Sequence, residues 1–556
     1  MSHPAPVAPS LLYPPGTDYR PAGRLAPSEA DLGLSAIIRA LDYDGRHSRF
    51  VAGVLAELCA DPAVIAYRQD VLDDMLRLSE LAAGCATLLP QLAELANAGG
   101  ASHWSDPIAL VQVGARLAEL DGYVTCVDGL AAALAAPRDQ LRSAGLQALR
   151  DFLAAIQATP DYQRLAGELP HLRAQLEQAG SVTLGINLDG QLRPESATVL
   201  AINPYRVGGK GSLLGRLFGE RAATDTLRGI TALFKASDDR QHTAEHELFR
   251  DLNRLLDRVA APIAEALAAY TRINGAGLAA LAPELAFYLG AARLADTIRA
   301  AGLPLCRPTI VPANQRVCAI DGAYSLDLAL RLRLARGDAA LPNMVVPNQV
   351  AFDQARPIAI LTGPNSGGKT TYTRAVGQAH VLAQAGLLIA GQAAQISPVD
   401  AIYSHFAAPE RADIGGGRLA EELERLAWIF HQASPASLIL LNEPLASTDH
   451  GAARVLGRDI LAGLRLLGAR AIFVTHIYEL VDDLRGDGAA GASVISLVAG
   501  TSALPGDSDT PAPSYSITPG WPQPAGYAAE LARRHGLGRE QIAATLRERG
   551  IGLAGG

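Results

Sequence analysis

The chain has 556 residues, too many for one ordinary domain, so we expect roughly two to four folding units. Its net charge of −8 excludes nucleic-acid binding through overall charge, and any DNA contact requires a local basic surface. The five cysteines form no CxxC pair, and no apolar stretch is both uncharged and long enough to cross a membrane. These features predict a cytoplasmic protein without a zinc site or a membrane segment.

The first 180 residues divide into a lead and a helical region. Residues 1–29 are rich in proline and aperiodic, which predicts a flexible lead. Over residues 30–180 apolar side chains recur at helical spacing, for example from Val64 to Met75, and we expect prolines such as Pro90 to break the helices. This region is predicted to form the first half of a helical core or lever.

An insertion then interrupts the helical pattern. Residues 181–238 begin with an alternating stretch and the turn pair Asp189-Gly190, which predicts a strand or hairpin. Helical periodicity returns over residues 239–310, the predicted second half of the lever. A clamp-like insertion at the tip of a lever explains this order, and an ordinary helical bundle with a hairpin fits the same residues.

Residues 311–549 are predicted to form an α/β domain, and residues 550–556 a flexible tail. Short apolar runs alternate with helical segments there, as in a parallel sheet. The predicted strands are 357–362, 437–442 and 469–476, with edge strands at 492–500 and 514–518.

A glycine-rich sequence follows the first of these strands. It has the complete GxxxxGK[ST] pattern between a predicted strand and a predicted helix, where the alternative is a chance glycine-rich turn. Backbone amides and the helix N-terminus surround phosphate oxygens, Lys369 supplies positive charge, and the Thr370 hydroxyl ligates magnesium. The predicted nucleotide-binding residues are Gly363, Pro364, Asn365, Ser366, Gly367, Gly368, Lys369, Thr370 and Thr371.

The second strand ends in Asn442 and Glu443. We expect Glu443 to be the general base that orients and deprotonates the attacking water. Asn442 joins Thr370 at the predicted metal position, where its carbonyl oxygen can accept a hydrogen bond from a magnesium-bound water or from Thr370. It lacks the negative charge of the aspartate that is usual there. We therefore predict firm nucleotide binding and slow turnover.

Two further elements contain candidate site residues. His476 is the last residue of the third predicted strand and is predicted to donate a hydrogen bond to the γ-phosphate or the attacking water, with a structural histidine as the alternative. Gly416, Gly417 and Arg418 precede a predicted helix and form a second anion-binding helix start, with a simple turn as the alternative.

Together these motifs resemble the MutS family of DNA mismatch-repair ATPases. The likeness rests on TGPNSGGKTT, on QISPVDAIYSHFAAPERADIGGGR, on VTHIYEL and on a tail similar to the family's closing helix–turn–helix, over about residues 340–549. It implies a C-terminal P-loop ATPase domain of the ABC/MutS type, ATP and Mg²⁺ as ligands, and a head-to-head homodimer. In that dimer Gly416, Gly417 and Arg418 of one chain cap the ATP of the other, and Asp449 lies on the dimer-facing loop.

Departures from the family pattern accompany the resemblance. Gly416 stands in place of a serine and Asn442 in place of the magnesium-side aspartate. The family's N-terminal mismatch-reading domain has no counterpart motif, so recognition is expected to depend on DNA shape or backbone.

Two functions fit these observations. The first is an ATPase that clamps DNA in mismatch repair or recombination, with DNA contacts predicted at Arg206, Lys210, Arg216 and Arg221. A solvated loop is the alternative for that basic stretch. The second is an ATP-dependent conformational switch that grips a protein partner, which the acidic balance and the few lysines favour.

Overall fold

The structure is a computed structural model of the chain. It describes residues 8–17, 24–25, 29–98, 109–135, 138–177, 181–188, 190–191, 194–203, 260–270, 273, 275–406, 418–486, 493–504, 507–522, 536–549 and 551.

The described helices and strands follow the predicted change from helical to α/β. The helices are α1 (Glu29–Leu32), α2 (Leu34–Leu41), α3 (Ser48–Ala56), α4 (Pro62–Arg77), α5 (Ser79–Ala98), α6 (Ala109–Ala135), α7 (Ala144–Gln157), α8 (Pro160–Glu177), α9 (Ala276–Ala279), α10 (Leu281–Ala300), α11 (Leu326–Arg336), α12 (Leu341–Met344), α13 (Lys369–Gln384), α14 (Arg418–Gln432), α15 (His450–Leu467), α16 (Tyr478–Gly486) and α17 (Arg539–Glu548). The strands are β1 (Arg24–Leu25), β2 (Ser181–Leu188), β3 (Pro194–Asn203), β4 (Leu305–Cys306), β5 (Thr309–Ile310), β6 (Cys318–Ala323), β7 (Asn348–Phe352), β8 (Ile358–Thr362), β9 (Ile389–Ala390), β10 (Ala393–Ile396), β11 (Ala401–Phe406), β12 (Leu438–Asn442), β13 (Arg470–Val474), β14 (Val494–Leu504) and β15 (Asp507–Pro519).

The chain divides into two compact units. Unit 1 comprises Met1–Pro9, Ala83–Gln140 and Gln147–Ala282, and unit 2 comprises Ser10–Ala82, Leu141–Leu146 and Pro283–Gly556. This division differs from the predicted limits, because residues 10–82 belong with the α/β half of the chain rather than with the helical region.

Unit 1 is helical, with one hairpin among its described residues. Helices α6 and α8 and the helical residues 260–268 share an apolar core of Val113, Leu117, Leu120, Leu165, Leu169, Leu172, Ile263, Leu267 and Tyr270. The predicted hairpin is confirmed, because β2 and β3 pair antiparallel. The predicted helix break at Pro90 is wrong: this proline lies inside α5, where the buried Leu88, Leu89 and Leu92 around it supply packing that outweighs the lost backbone hydrogen bond.

Unit 2 is built on a seven-stranded sheet of order β1-β11-β12-β13-β8-β14-β15. All neighbours are parallel except β14 and β15. Strands β8, β12 and β13 are buried at every position, which explains their uninterrupted apolar sequences. Of the two predicted edge strands only β15 is at an edge, since β14 lies between β8 and β15.

Register brings the ends of three strands to one edge of this sheet. Asn442 of β12 pairs with Val474 of β13, and Val474 pairs with Leu361 of β8. The carboxyl ends of parallel strands face the same way, so the segments after β8, β12 and β13 emerge side by side. Ligand sites in α/β sheets commonly lie at this edge.

The N-terminal segment packs into unit 2, so the prediction of a flexible lead is wrong for residues 10–13. Leu11 and Leu12 are fully buried. Ser10 Oγ donates to Glu284 Oε1 at 2.8 Å, and the Leu11 amide donates to Glu284 Oε2 at 2.5 Å. Apolar burial and these hydrogen bonds order the segment although its proline content suggested flexibility. Proline restricts the backbone and the unfolded chain, and it does not prevent this packing.

A buried ion pair between Arg68 and Glu57, with the residues that contact Arg68, joins this segment to the end of α13. We call this group the Arg68 cluster; its members are Arg68, Leu12, Tyr13, Glu57 and Gln384. The Arg68 guanidinium donates to both Glu57 carboxylate oxygens at 3.0 and 3.1 Å. It also donates to the carbonyls of Leu12 at 3.0 Å and Gln384 at 3.5 Å, and it lies 5.0 Å from the centre of the Tyr13 ring.

Among the described residues one helical stretch, Ala276–Ala300, has the length and apolar composition of a membrane span. Seventy-eight per cent of its most apolar window is buried inside the protein, as in a core helix.

Candidate functional site

The loop between β8 and α13 has a backbone that its sequence explains. Gly363 has a φ of +127° and Gly368 a φ of +89°, both in the region that favours glycine. A Cβ on Gly363 would lie 2.8 Å from the Ala499 Cβ and 2.9 Å from its carbonyl oxygen, so no larger residue fits against β14. Ser366, with a φ of 67°, is a non-glycine residue in the same region. The loop ends at Gly368, where α13 begins and its free amide groups face outward.

Lys369 is the first residue of α13, and its side chain folds back over the loop. Its Nζ donates to the carbonyls of Gly363 and Pro364, each at 3.0 Å, and lies 3.8 Å from Glu443 Oε1. The side chain is only 4% exposed. Burial lowers the pKa of Lys369, and the neighbouring Glu443 opposes that change. An anion at this position would relieve the cost of holding the ammonium away from water.

Thr370 and Asn442, the two predicted metal-side residues, are in contact. Thr370 Oγ1 donates to Asn442 Oδ1 at 3.2 Å, and Asn442 is buried at the end of β12. Each side chain offers a neutral oxygen atom that can serve as a metal ligand. Within the described ranges, no group of three or more His, Cys, Asp or Glu residues is placed to hold a metal ion. The donors present therefore suit a Mg²⁺ that arrives with phosphates rather than one held by protein charge alone.

Glu443 stands between Lys369 and His476. Its Oε1 is 2.7 Å from His476 Nε2 and 3.8 Å from Lys369 Nζ. His476 lowers the pKa of Glu443 most, burial acts against it, and Lys369 lowers it further, so the carboxylate is ionised. Strand β13 ends at Val474, so His476 lies two residues beyond the strand rather than at its end.

Lys369, Thr370 and Glu443 border a cavity of about 570 Å³, a size typical of small-molecule sites, whereas Asn442 and His476 do not line it. Its lining residues are Ala323, Tyr324, Ser325, Leu328, Leu332, Asn343, Met344, Val345, Val346, Asn348, Ser366, Gly367, Gly368, Lys369, Thr370, Thr371, Tyr372, Ala375, Glu443 and Tyr515. The lining thus includes residues of the glycine-rich loop together with residues 343–346 and 348, which precede or begin β7.

Sequence reasoning missed Tyr515 and the way in which Asn348 holds it. The Asn348 amide nitrogen donates to the Tyr515 carbonyl at 3.1 Å, and its oxygen accepts from the Ile517 amide at 2.6 Å. Tyr515 has a φ of 58° and lies over Gly368 at the cavity wall. The two residues are 167 positions apart in the chain, so no local pattern could have paired them.

Several predicted residues lie elsewhere. Asp449 is exposed, caps α15 by accepting a hydrogen bond from the Ala452 amide at 3.0 Å, and does not line the cavity. Asn365 lies within the glycine-rich loop, but it is exposed and does not line the cavity. Arg418 begins α14, and its side chain lies outside the described part of the chain. Also outside the described residues are Gly416, Gly417, Arg206, Lys210, Arg216 and Arg221.

Two family models match the chain. Residues 60–301 match the MutS2 N-terminal domain, and residues 359–490, which include the sheet edge described above, match MutS domain V. The second match shows that the α/β part of unit 2 contains MutS domain V, the ATPase domain of that family. The first match covers most of the helical region.

Curated relatives agree with both matches. The chain is 28% identical over 489 residues to the DNA mismatch repair protein MutS of Granulibacter bethesdensis, an alignment that covers 80% of this chain and 48% of the relative. It is 32% identical over 298 residues to Endonuclease MutS2 of Thermomicrobium roseum, covering 53% of this chain and 34% of the relative. The match to DNA mismatch repair protein MutS of Haloquadratum walsbyi is 37% over 138 residues, 24% of this chain and 14% of the relative.

The chain therefore belongs to the MutS family. It spans about half the length, or less, of the curated relatives described here.

Proposed function

We propose that this protein binds ATP with Mg²⁺ in the cavity between the glycine-rich loop and residues 343–348, and hydrolyses it slowly. The observation that carries the proposal is that Lys369 and Glu443 line a cavity large enough for a nucleotide, with His476 Nε2 2.7 Å from Glu443 Oε1. Family membership supports the same conclusion, because residues 359–490 match MutS domain V.

Each residue has a defined part in this proposal. The loop amides and Lys369 bind the β and γ phosphates, and the lysine exchanges its bonds to the Gly363 and Pro364 carbonyls for bonds to phosphate oxygens. Thr370 and Asn442 would hold the Mg²⁺, which would supply positive charge against the phosphates. Glu443 accepts the proton of the attacking water, and His476 orients Glu443 or the water.

The nucleoside end is proposed to occupy the remaining cavity. Tyr515 lines the cavity and is the aromatic contact in this proposal, and Asn348 holds its backbone. Gly363, Pro364, Asn365, Ser366, Gly367, Gly368 and Thr371 complete the proposed loop contacts.

We further propose that ATP drives closure of a homodimer in the cytoplasm and that the closed form binds DNA. Gly416, Gly417, Arg418 and Asp449 are the proposed partner-facing residues, and Arg206, Lys210, Arg216 and Arg221 the proposed DNA contacts. Curated relatives are named as DNA mismatch repair proteins or as an endonuclease, which supports a role in mismatch repair or recombination. The proposed movement of helical arms belongs to the same hypothesis.

Two measurements test the proposal. Calorimetric titration of ATP with Mg²⁺ into the purified chain is expected to give saturable heat, and an absence of heat overturns it. Gel shifts on duplex, mismatched and branched DNA with ATP are expected to show retention that weakens as salt rises. Nucleotide binding without salt-sensitive retention on any of these DNAs favours the protein-gripping switch instead.

A further inference from the structure

A buried carboxylate outside the cavity holds the loop that follows Glu443. Glu422 lies on α14 and is almost fully buried. Its Oε1 accepts from the Leu445 amide at 2.8 Å, and its Oε2 accepts from Ser447 Oγ at 2.5 Å. Burial alone would raise the pKa of Glu422, but the hydrogen bonds from Ser447, His405 and Leu445 outweigh burial, and its pKa lies below the ordinary value. Glu422 is therefore an ionised acceptor for two groups of one loop.

That loop has an unfavourable backbone. Glu443 has a φ of 55° and Leu445 a φ of 71°, on either side of Pro444. Residues other than glycine adopt these angles only where surrounding contacts hold them. The Glu443 amide donates to the Val474 carbonyl at 3.0 Å, which fixes the first bend. The second bend, at Leu445, is fixed by Glu422.

His405 orients Glu422. It is the next-to-last residue of β11, is buried, and places Nε2 2.9 Å from Glu422 Oε1. A carboxylate only accepts hydrogen bonds, so we assign the proton to Nε2. His405 Nδ1 is buried and has no hydrogen-bond partner among the described residues. The Nε2 contact therefore holds the ring against Glu422.

We propose that Glu422, oriented by His405, is a positioning residue for ATP hydrolysis that keeps the Glu443 carboxylate facing the cavity beside Lys369 and His476. The inference rests on the proposed function. Glu422 does not line the cavity, so it acts through the loop from Glu443 to Ser447. Its loss lets that loop relax toward ordinary backbone angles and turns Glu443 away from the water it activates.

The test compares Glu422→Ala with Glu424→Ala, which removes an exposed carboxylate from the same helix. Glu422→Ala is expected to lower kcat about tenfold or more, because small displacements of a catalytic group are costly. The Kd for MgATP, measured by calorimetry, is expected to stay within about threefold, since no nucleotide contact is lost. Glu422→Gln, which keeps an acceptor for Leu445, is expected to restore part of kcat.

Amide hydrogen exchange of the nucleotide-free protein gives a second readout that does not need activity. Peptides containing Leu445 should exchange faster in Glu422→Ala than in Glu424→Ala. If Glu422→Ala fails to fold, Ser447→Ala and Glu422→Gln take its place in both measurements.

The outcomes separate this inference from the proposed function. A wild-type chain that binds no MgATP, or binds it without turnover, overturns the proposed hydrolysis, and the inference falls with it. An active wild type with Glu422→Ala equal to Glu424→Ala in kcat overturns the inference alone. A parallel loss of binding and kcat in Glu422→Ala also overturns it, because that result indicates a merely structural role.

Discussion

The two ends of α13 are built differently, although one helix connects them. At its start, Lys369 Nζ donates to two loop carbonyls and lies 3.8 Å from Glu443 Oε1, and Ser366 and Glu443, both in left-handed conformation, lie nearby. At its end, the Gln384 side chain donates to the Cys59 and Val399 carbonyls at 3.0 and 2.8 Å and accepts from the Val399 amide at 3.1 Å.

The difference separates an end of the helix that can bind a ligand from an end that stabilises the fold. At the Lys369 end, the lysine donates to neutral carbonyls that phosphate oxygens can replace, and the local backbone is strained. Groups at the Gln384 end, including the Arg68 cluster, are buried and paired, so they have no better partner to change to. Substitutions at the first end should therefore cost function, and substitutions at the second should cost stability.

The largest expected effect is on stability, at the Arg68 cluster. Arg68→Ala leaves Glu57 buried without its charge partner and should lower the free energy of unfolding by about 3–5 kcal/mol. Urea unfolding followed by circular dichroism measures the change. Arg307→Ala, which removes a partly exposed arginine paired with Asp70 and Asp73, is the control and should cost about 1 kcal/mol or less. Equal losses of unfolding free energy in the two variants would contradict the stabilising role of the Arg68 cluster.

Lys369→Ala should have the next largest effect, on binding. Removing the ammonium should weaken MgATP binding about 100-fold, equivalent to about 2.7 kcal/mol. The midpoint of thermal unfolding should stay nearly unchanged, because the variant no longer bears the cost of burying a charge. Calorimetry and thermal unfolding measure the two quantities. Arg356→Ala, which removes an exposed cation at the far end of β8, should change neither. Retained binding in Lys369→Ala would mean that the cavity is not a phosphate site.

A smaller effect, a gain in the rate of hydrolysis, is expected from Asn442→Asp. A carboxylate beside Thr370 adds an attraction for Mg²⁺ of a few kcal/mol at most, so hydrolysis at limiting Mg²⁺ should rise about tenfold. Steady-state phosphate release over a Mg²⁺ series measures it. Asn343→Asp adds the same charge at another part of the cavity wall and should give no such gain. The charge argument fails if Asn442→Asp changes nothing while Glu443→Gln abolishes hydrolysis.

The smallest effect is expected from His476→Ala, on the pH profile. His476 lowers the pKa of Glu443 most, so without it Glu443 takes up a proton at higher pH, and the acid limb of the rate profile should move to higher pH. The rate at neutral pH should fall about tenfold or less. His450→Ala, which breaks an exposed histidine–glutamate pair with Glu479, is the control and should leave the profile in place. An unmoved acid limb in His476→Ala would show that another group sets it.

Prediction from sequence succeeded where the signal was local. The runs at β8, β12 and β13 are continuous apolar stretches of strand length, and glycines mark the loop before Lys369 because each meets a backbone or packing requirement of its own. The hairpin β2–β3 was recognised from alternation and a turn pair. These patterns need no knowledge of distant residues.

Prediction failed where distant packing decided the outcome. The proline-rich start reads as flexible, yet Leu11 is buried and bonded to Glu284, which lies 273 positions away. Asp449 caps α15 within this chain, a role that was not predicted from the sequence, and its place on a dimer-facing loop stays a prediction. Tyr515 and Glu422 had no signal at all, because their partners in the site are defined only by strand order and register.

By itself the sequence determined the chemical types: a loop that can wrap an anion, a lysine at a helix start, and a polar pair at the end of a buried strand. These follow from residue identity and spacing along one strand or helix. The tertiary structure alone decided which of them meet, because parallel register sets Asn442, Val474 and Leu361 side by side at one sheet edge. Contacts between elements depend on packing and long-range pairing, and no local pattern encodes them.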